Sequence, residues 1–206
     1  TPLPLMPGKD LSKVPSWIPR QMAPYAPTLL PEHKSAVGGV ARYFTREEQL
    51  YLFWYVMHPY TYNKSLPTVW ADLQFEHKKE AEERFKSLKY MLTQNGVAVP
   101  KRPPMWYTVP SELPPFPPTL LPEHSSVNAP PGKDRKFTDE ENAYLYWYLF
   151  NPRVLLANLG RVKADLHLKS QTELQDKSKS LRYRVRQYFG IDVPPSPFGV
   201  KGVVPM

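Results

Sequence analysis

Phe44-Thr45-Arg46-Glu47-Glu48-Gln49-Leu50-Tyr51-Leu52-Phe53-Trp54-Tyr55-Val56-Met57 is a helix start followed by a wholly apolar run, and the chain contains it twice. The second copy is Phe137-Thr138-Asp139-Glu140-Glu141-Asn142-Ala143-Tyr144-Leu145-Tyr146-Trp147-Tyr148-Leu149-Phe150. Thr45-x-x-Glu48 and Thr138-x-x-Glu141 read as capping boxes, in which the threonine hydroxyl accepts from a first-turn amide and the glutamate reaches back. Phe44 and Phe137 precede the cap, where a hydrophobic staple belongs. Pro59 and Pro152 end each helix near 57 and 150. A surface helix keeps a polar face opposite its apolar stripe, whereas 50–57 and 143–150 have none. These helices require cover on all sides, from the chain's own arms, from the other copy or from a partner.

Outward from this stretch the repetition continues. Ala71-Asp72-Leu73 returns as Ala164-Asp165-Leu166, and Lys86-Ser87-Leu88 with Tyr90 as Lys179-Ser180-Leu181 with Tyr183, all 93 residues apart. The lead-in Pro27-Thr28-Leu29-Leu30-Pro31-Glu32-His33 returns as Pro118-Thr119-Leu120-Leu121-Pro122-Glu123-His124. What both copies keep points to fold, and what differs points to partner. A second helix is expected near 66–74 and 154–166, and a third near 77–93 and 170–188. In the third, Ala81, Phe85, Leu88 and Leu92 follow helical spacing, as do Leu174, Leu181 and Val185. The fold expected is all-α: two tandem three-helix bundles, 44–95 and 137–190, joined and flanked by extended proline-rich segments. These are an arm over 1–43, a linker over 96–136 and a tail over 191–206.

Of the 26 prolines, eight fall in 1–43, eleven in 100–136 and four in 194–206. Proline fixes φ and lacks an amide donor, so these segments form neither helices nor central strands. A solvated linker is one reading. Disordered linkers are poor in aromatics, however, and here Trp17, Tyr25, Trp106 and Phe116 punctuate the prolines. The other reading is an arm that lies along a surface with each ring as an anchor. Candidate protein-interface residues are therefore Trp17, Tyr25, Trp54, Trp106, Phe116 and Trp147.

With three helices in place, each block resembles a Myb/SANT repeat. The resemblance rests on the opening Phe44-Thr45-Arg46-Glu47-Glu48, the closing Arg84-Phe85-Lys86-Ser87-Leu88 and Trp70 near the family's middle tryptophan. The second copy opens on Phe137-Thr138-Asp139-Glu140-Glu141 and closes on Lys177-Ser178-Lys179-Ser180-Leu181, with Ser178 in place of the closing aromatic. In DNA-binding members the third helix enters the major groove. In the first copy that helix carries Glu76, Glu80, Glu82 and Glu83, which oppose phosphate. In the second, Lys169, Lys177, Lys179, Arg182, Arg184 and Arg186 face only Glu173 and Asp176 between 169 and 186, a net +4. These six are the candidate nucleic-acid-binding residues. The alternative is an ordinary solvated charged face.

The net charge of +8 is unevenly spread: block 44–92 is neutral, while 1–43 and 137–186 carry +3 each. Cysteine is absent, which removes disulfides, zinc ribbons and thiol nucleophiles. No glycine-rich phosphate loop, Gly-x-Ser-x-Gly or His-Glu-x-x-His occurs. Glu32-His33 and Glu123-His124 recur, but adjacent residues point apart and no third ligand accompanies them; Leu-Leu-Pro-Glu-His reads instead as a loop docked by leucine burial and a helix-end hydrogen bond. No enzyme, cofactor or metal is expected.

Two functions fit. The first is a non-catalytic structural component of a large ribonucleoprotein, binding rRNA or other structured RNA and several protein neighbours, with no membrane contact. In style the chain resembles the lineage-specific proteins of protist mitochondrial ribosomes, which implies the mitochondrial matrix. The start at Thr1 is compatible with a processed form or a fragment. The second is a tandem Myb-like DNA-binding protein, which implies the nucleus.

Overall fold

The capping boxes form as expected and set the register of everything after them. In a computed structural model, which describes residues 1–35, 42–128 and 135–198, the Thr45 hydroxyl accepts from the Glu48 amide at 3.1 Å. The Glu48 carboxylate in turn accepts from the Thr45 amide at 2.9 Å. Thr138 and Glu141 repeat both bonds at the same distances. Helices α1 (Arg46–Met57) and α5 (Asp139–Phe150) follow, and α1 is buried from Tyr51 to Met57 as α5 is from Tyr144 to Leu149.

The described residues are all-α, without strands. Each copy has four α-helices in the same order, one more than the three expected. α2 (Pro59–Lys64) and α3 (Leu66–Asp72) precede α4 (Lys78–Gln94), and α6 (Pro152–Ala157) and α7 (Leu159–Asp165) precede α8 (Gln171–Phe189). The helix expected over 66–74 is α3, with α2 an additional helix before it, and the one expected over 154–166 is divided into α6 and α7. In the first copy Pro67, in the first turn of α3, has no amide to continue α2. In the second, Asn158 turns its side-chain amide onto the Val154 carbonyl at 2.8 Å, an alternative to the helical ladder. His58 and Asn151 make the preceding corner by bonding the carbonyls of Trp54 and Trp147 at 2.8 and 2.9 Å.

The chain divides into two units, Thr1–Arg102 and Pro103–Met206. The arms belong to their cores. Leu3, Val14, Ile18 and Val97 are buried in the first, and Trp106 and Val193 in the second. The expected linker 96–136 therefore divides: 96–102 completes the first unit and 103 onward begins the second. Backbone hydrogen bonds fix the N-terminal segment between 20–22 and 96–98. The Leu3 amide donates to Arg20, the Met6 amide to Gly96, and the Ala98 amide to Pro4.

The arms also cover the apolar helices. The Trp54 indole N–H donates to the Ala23 carbonyl at 3.0 Å, and that of Trp147 to Pro114 at 2.7 Å. Ala23 and Pro114 are 91 residues apart and the tryptophans 93, so both copies wrap alike. Trp17 packs edge-on against Phe53 and Trp106 tilts against Tyr146, its counterpart.

A buried polar ring closes each unit. Glu48 is fully buried and, besides Thr45, accepts from Ser35 Oγ at 3.1 Å and from Arg42. Arg42 also donates to the carbonyls of Leu73 and Gln74. In the second unit Arg135 binds Glu141 (2.5 Å), Ser126 Oγ (2.7 Å) and the His167 carbonyl (3.1 Å). Gln74 and His167 have φ of 52° and 49°, the left-handed turn that ends a helix, and the arginine ties that turn to the capping box. Thr45 and Thr138 donate to the carbonyls of His33 and His124 at 2.6 and 2.7 Å, docking the Leu-Leu-Pro-Glu-His loops. Ser35 and Ser126 are 91 apart and Arg42 and Arg135 are 93 apart, so the two-residue length difference falls between serine and arginine.

Candidate nucleic-acid interface

α8 is the most basic element, and its register sorts the six candidate cations. Leu174, Leu181 and Val185 face the core and are fully buried. Lys177 and Arg184 lie on the edges of that face. Lys177 donates to the Arg135 carbonyl at 2.6 Å, with its ammonium 5.1 Å from the Phe137 ring. Arg84, its counterpart in the first unit, does the same to the Arg42 carbonyl and Phe44. The cation at this position clamps the phenylalanine that precedes the cap. Arg184 donates to Asn142 Oδ1 at 2.9 Å and lies 5.7 Å from the Trp106 ring, and burial lowers its pKa. Both residues are engaged within the unit.

Lys179, Arg182 and Arg186 are brought together. With Gln175, Tyr183 and Phe198 they line a groove of about 550 Å³ between α8 and the tail. Lys179 and Arg186 are exposed. Asp176 also borders the groove, and Arg186 makes a solvent-exposed ion pair with Asp192 at 3.5 Å, a pairing of little strength. Arg182 donates one N–H to the Pro194 carbonyl. Its Nε and Nη2 are shielded from solvent and have no acceptor among the described residues. Burial, and next the neighbouring Arg186 charge, lower its pKa. Leaving a buried charged donor unpaired is unfavourable. Lys169 is exposed before the helix, outside the groove.

Compared with protein-family models, curated proteins and solved structures, the chain matches none.

The six aromatic candidates also separate. Trp54, Trp106 and Trp147 are buried within their own units, and Trp17 is part-buried against Phe53. These four serve as internal anchors of the arms. Tyr25 and Phe116 are 80% and 76% exposed, and they occupy equivalent arm positions 91 residues apart. Tyr90 and Tyr183, 93 apart, are likewise exposed. Among the described residues no three His, Cys, Asp or Glu side chains converge as metal ligands, and no helix is long and apolar enough to cross a membrane.

Proposed function

We propose that the protein is a non-catalytic structural component of a large ribonucleoprotein, a mitochondrial ribosome, in which the second unit binds structured RNA through the α8 groove. The observation that carries this reading is Arg182. It is a part-buried guanidinium with two unsatisfied N–H edges, set between Lys179 and Arg186. A phosphate oxygen in the groove supplies the missing acceptor, and the exposed Tyr183 ring offers a stacking face for a base. Lys169 extends the positive edge. Lys177 and Arg184 act only by holding the helix in place. Tyr25 and Phe116 offer the protein neighbours two equivalent rings.

The test is sedimentation of the chain from cell lysate with and without RNase, paired with RNA binding by the purified protein. Migration at ribosomal size that RNase collapses supports the reading. Changing Lys179, Arg182 and Arg186 together to Gln should lower RNA affinity and reduce the slope of log K against log salt by about 2, from roughly 0.7 per phosphate contact. Tight, sequence-selective binding to duplex DNA, with no RNase-sensitive sedimentation, would replace this function with that of a tandem Myb-like DNA-binding protein in the nucleus.

A further inference from the structure

Among the packed positions at which the two units differ, one exposes a second site. In the second unit the Arg184 guanidinium bridges α5 and the arm. It donates to Asn142 Oδ1, whose Nδ2 is held by the carbonyls of Phe137 and Thr138, and it lies over the Trp106 ring. The first unit retains both receiving groups. Gln49 stands at the position of Asn142, 93 residues earlier, and its Nε2 is likewise held by the Phe44 carbonyl at 3.4 Å. Among the described residues its Oε1 carries no hydrogen bond. Trp17 stands against Phe53 as Trp106 does against Tyr146. The guanidinium is missing, because Met91 occupies the position of Arg184. A groove of about 440 Å³ opens there, lined by Trp17, Gln49, Leu88, Met91 and Asn95, with the exposed Tyr43 at its mouth.

We propose that this groove of the first unit binds an arginine side chain of a partner protein, its guanidinium donating to Gln49 Oε1 and lying against the Trp17 ring. The second unit displays the occupied form within its own chain. Aromatic rings attract a guanidinium through their negative faces, and its planar fork satisfies an amide oxygen while stacking. Arg84 also borders the groove, but its charge is no obstacle. Its counterpart Lys177 shares the second unit's site with Arg184, each on its own acceptor. The site lies in the other unit from the RNA-binding groove and stands independently of it.

The test uses the full chain and the capped peptide Ac-Ala-Arg-Ala-NH₂, read by the NMR shift of the Trp17 indole N–H. The arginine peptide should give a saturable shift, and the isosteric citrulline peptide, which lacks the charge, should bind at least roughly tenfold more weakly. Gln49→Leu should weaken the arginine peptide by about tenfold. Met91→Arg installs the second unit's own plug and should abolish peptide binding in a chain whose circular dichroism is unchanged. Equal binding of the citrulline peptide, or of Ac-Ala-Leu-Ala-NH₂, overturns the proposal in favour of a generic apolar groove. No saturable shift with the arginine peptide, or undiminished binding to Met91→Arg, also overturns it.

Discussion

Replacing Glu48 with alanine removes the centre of the polar ring in the first unit, and the consequence is large enough to measure without ambiguity. The carboxylate is fully buried and accepts from the Thr45 amide, Ser35 Oγ and Arg42, whose side chain is only 9% exposed. Alanine leaves that guanidinium buried without its counter-charge, and losing one partner of a buried pair costs about 3–5 kcal/mol. A unit of this size is stable by about 5–15 kcal/mol in all. For a domain of roughly this length 1 kcal/mol is about 4–8 °C, so the midpoint of the first unit should fall by at least about 12 °C. Glu141→Ala should do the same to the second unit, where Arg135 is left behind. The sign of the pH effect follows from the balance at Glu48. Burial alone would raise its pKa, but hydrogen bonds from Thr45, Ser35 and Arg42 outweigh it and hold the carboxyl below its ordinary 4.5. Its contribution is therefore complete above that value and lost as pH falls through the lowered one. Differential scanning calorimetry of wild type and Glu48→Ala should show a constant gap between about pH 5 and 8 that narrows in acid. A shift of less than about 3 °C at pH 7, or a gap indifferent to acid, would refute the reasoning.

Other variants separate the roles assigned above. Trp54→Phe and Trp147→Phe remove the indole N–H to the arm carbonyls. Each should cost about 0.5–1.5 kcal/mol in urea unfolding and speed proteolysis near Ala23 and Pro114 respectively. Lys177→Gln should lower the unfolding midpoint of the second unit while leaving RNA affinity within about twofold, and Lys179→Gln should do the reverse. Gly96→Ala should destabilise the first unit by more than about 1 kcal/mol, because φ is 83° and the new Cβ would sit 2.9 Å from Lys9 Cβ.

The parts of the fold that rest on neighbouring residues were legible in the sequence. Thr45-x-x-Glu48 placed α1, and its copy placed α5, because a capping box is a local device. The additional short helix of each copy was less so. Pro67 signals a break, but Asn158 acts only through a side-chain bond to Val154 that periodicity does not register. The internal contacts of the basic residues of α8 were hidden for a related reason. The partners of Lys177 and Arg184, the Arg135 carbonyl and Asn142, are 42 residues away. The repeat held a signal nonetheless: Arg84 and Lys177 keep a cation at one position in both copies, which by the rule that shared features are structural marks a clamp. Arg42 and Arg135 recur in the same way, and in the structure they pair with the buried glutamates. The burial of Trp54 and Trp147 turned on whether the arms fold back, and only their docked carbonyls answer that.

The order of segments along the chain also shapes how the protein is made. Each proline-rich arm lies N-terminal to the aromatic helix it covers, so a ribosome releases the cover before the surface that needs it. Ala23 leaves the exit tunnel ahead of Trp54, and Pro114 ahead of Trp147. Exposed apolar surface is what draws nascent chains into aggregates, and this arrangement shortens its lifetime. The first unit has one element that must wait. Its N-terminal residues find Gly96 and Ala98 only after α4 has been synthesised. With the chain emerged only as far as Gln94 the unit is thus wrapped but unlatched, and Gly96 and Ala98 latch onto Met6 and Pro4 once they follow.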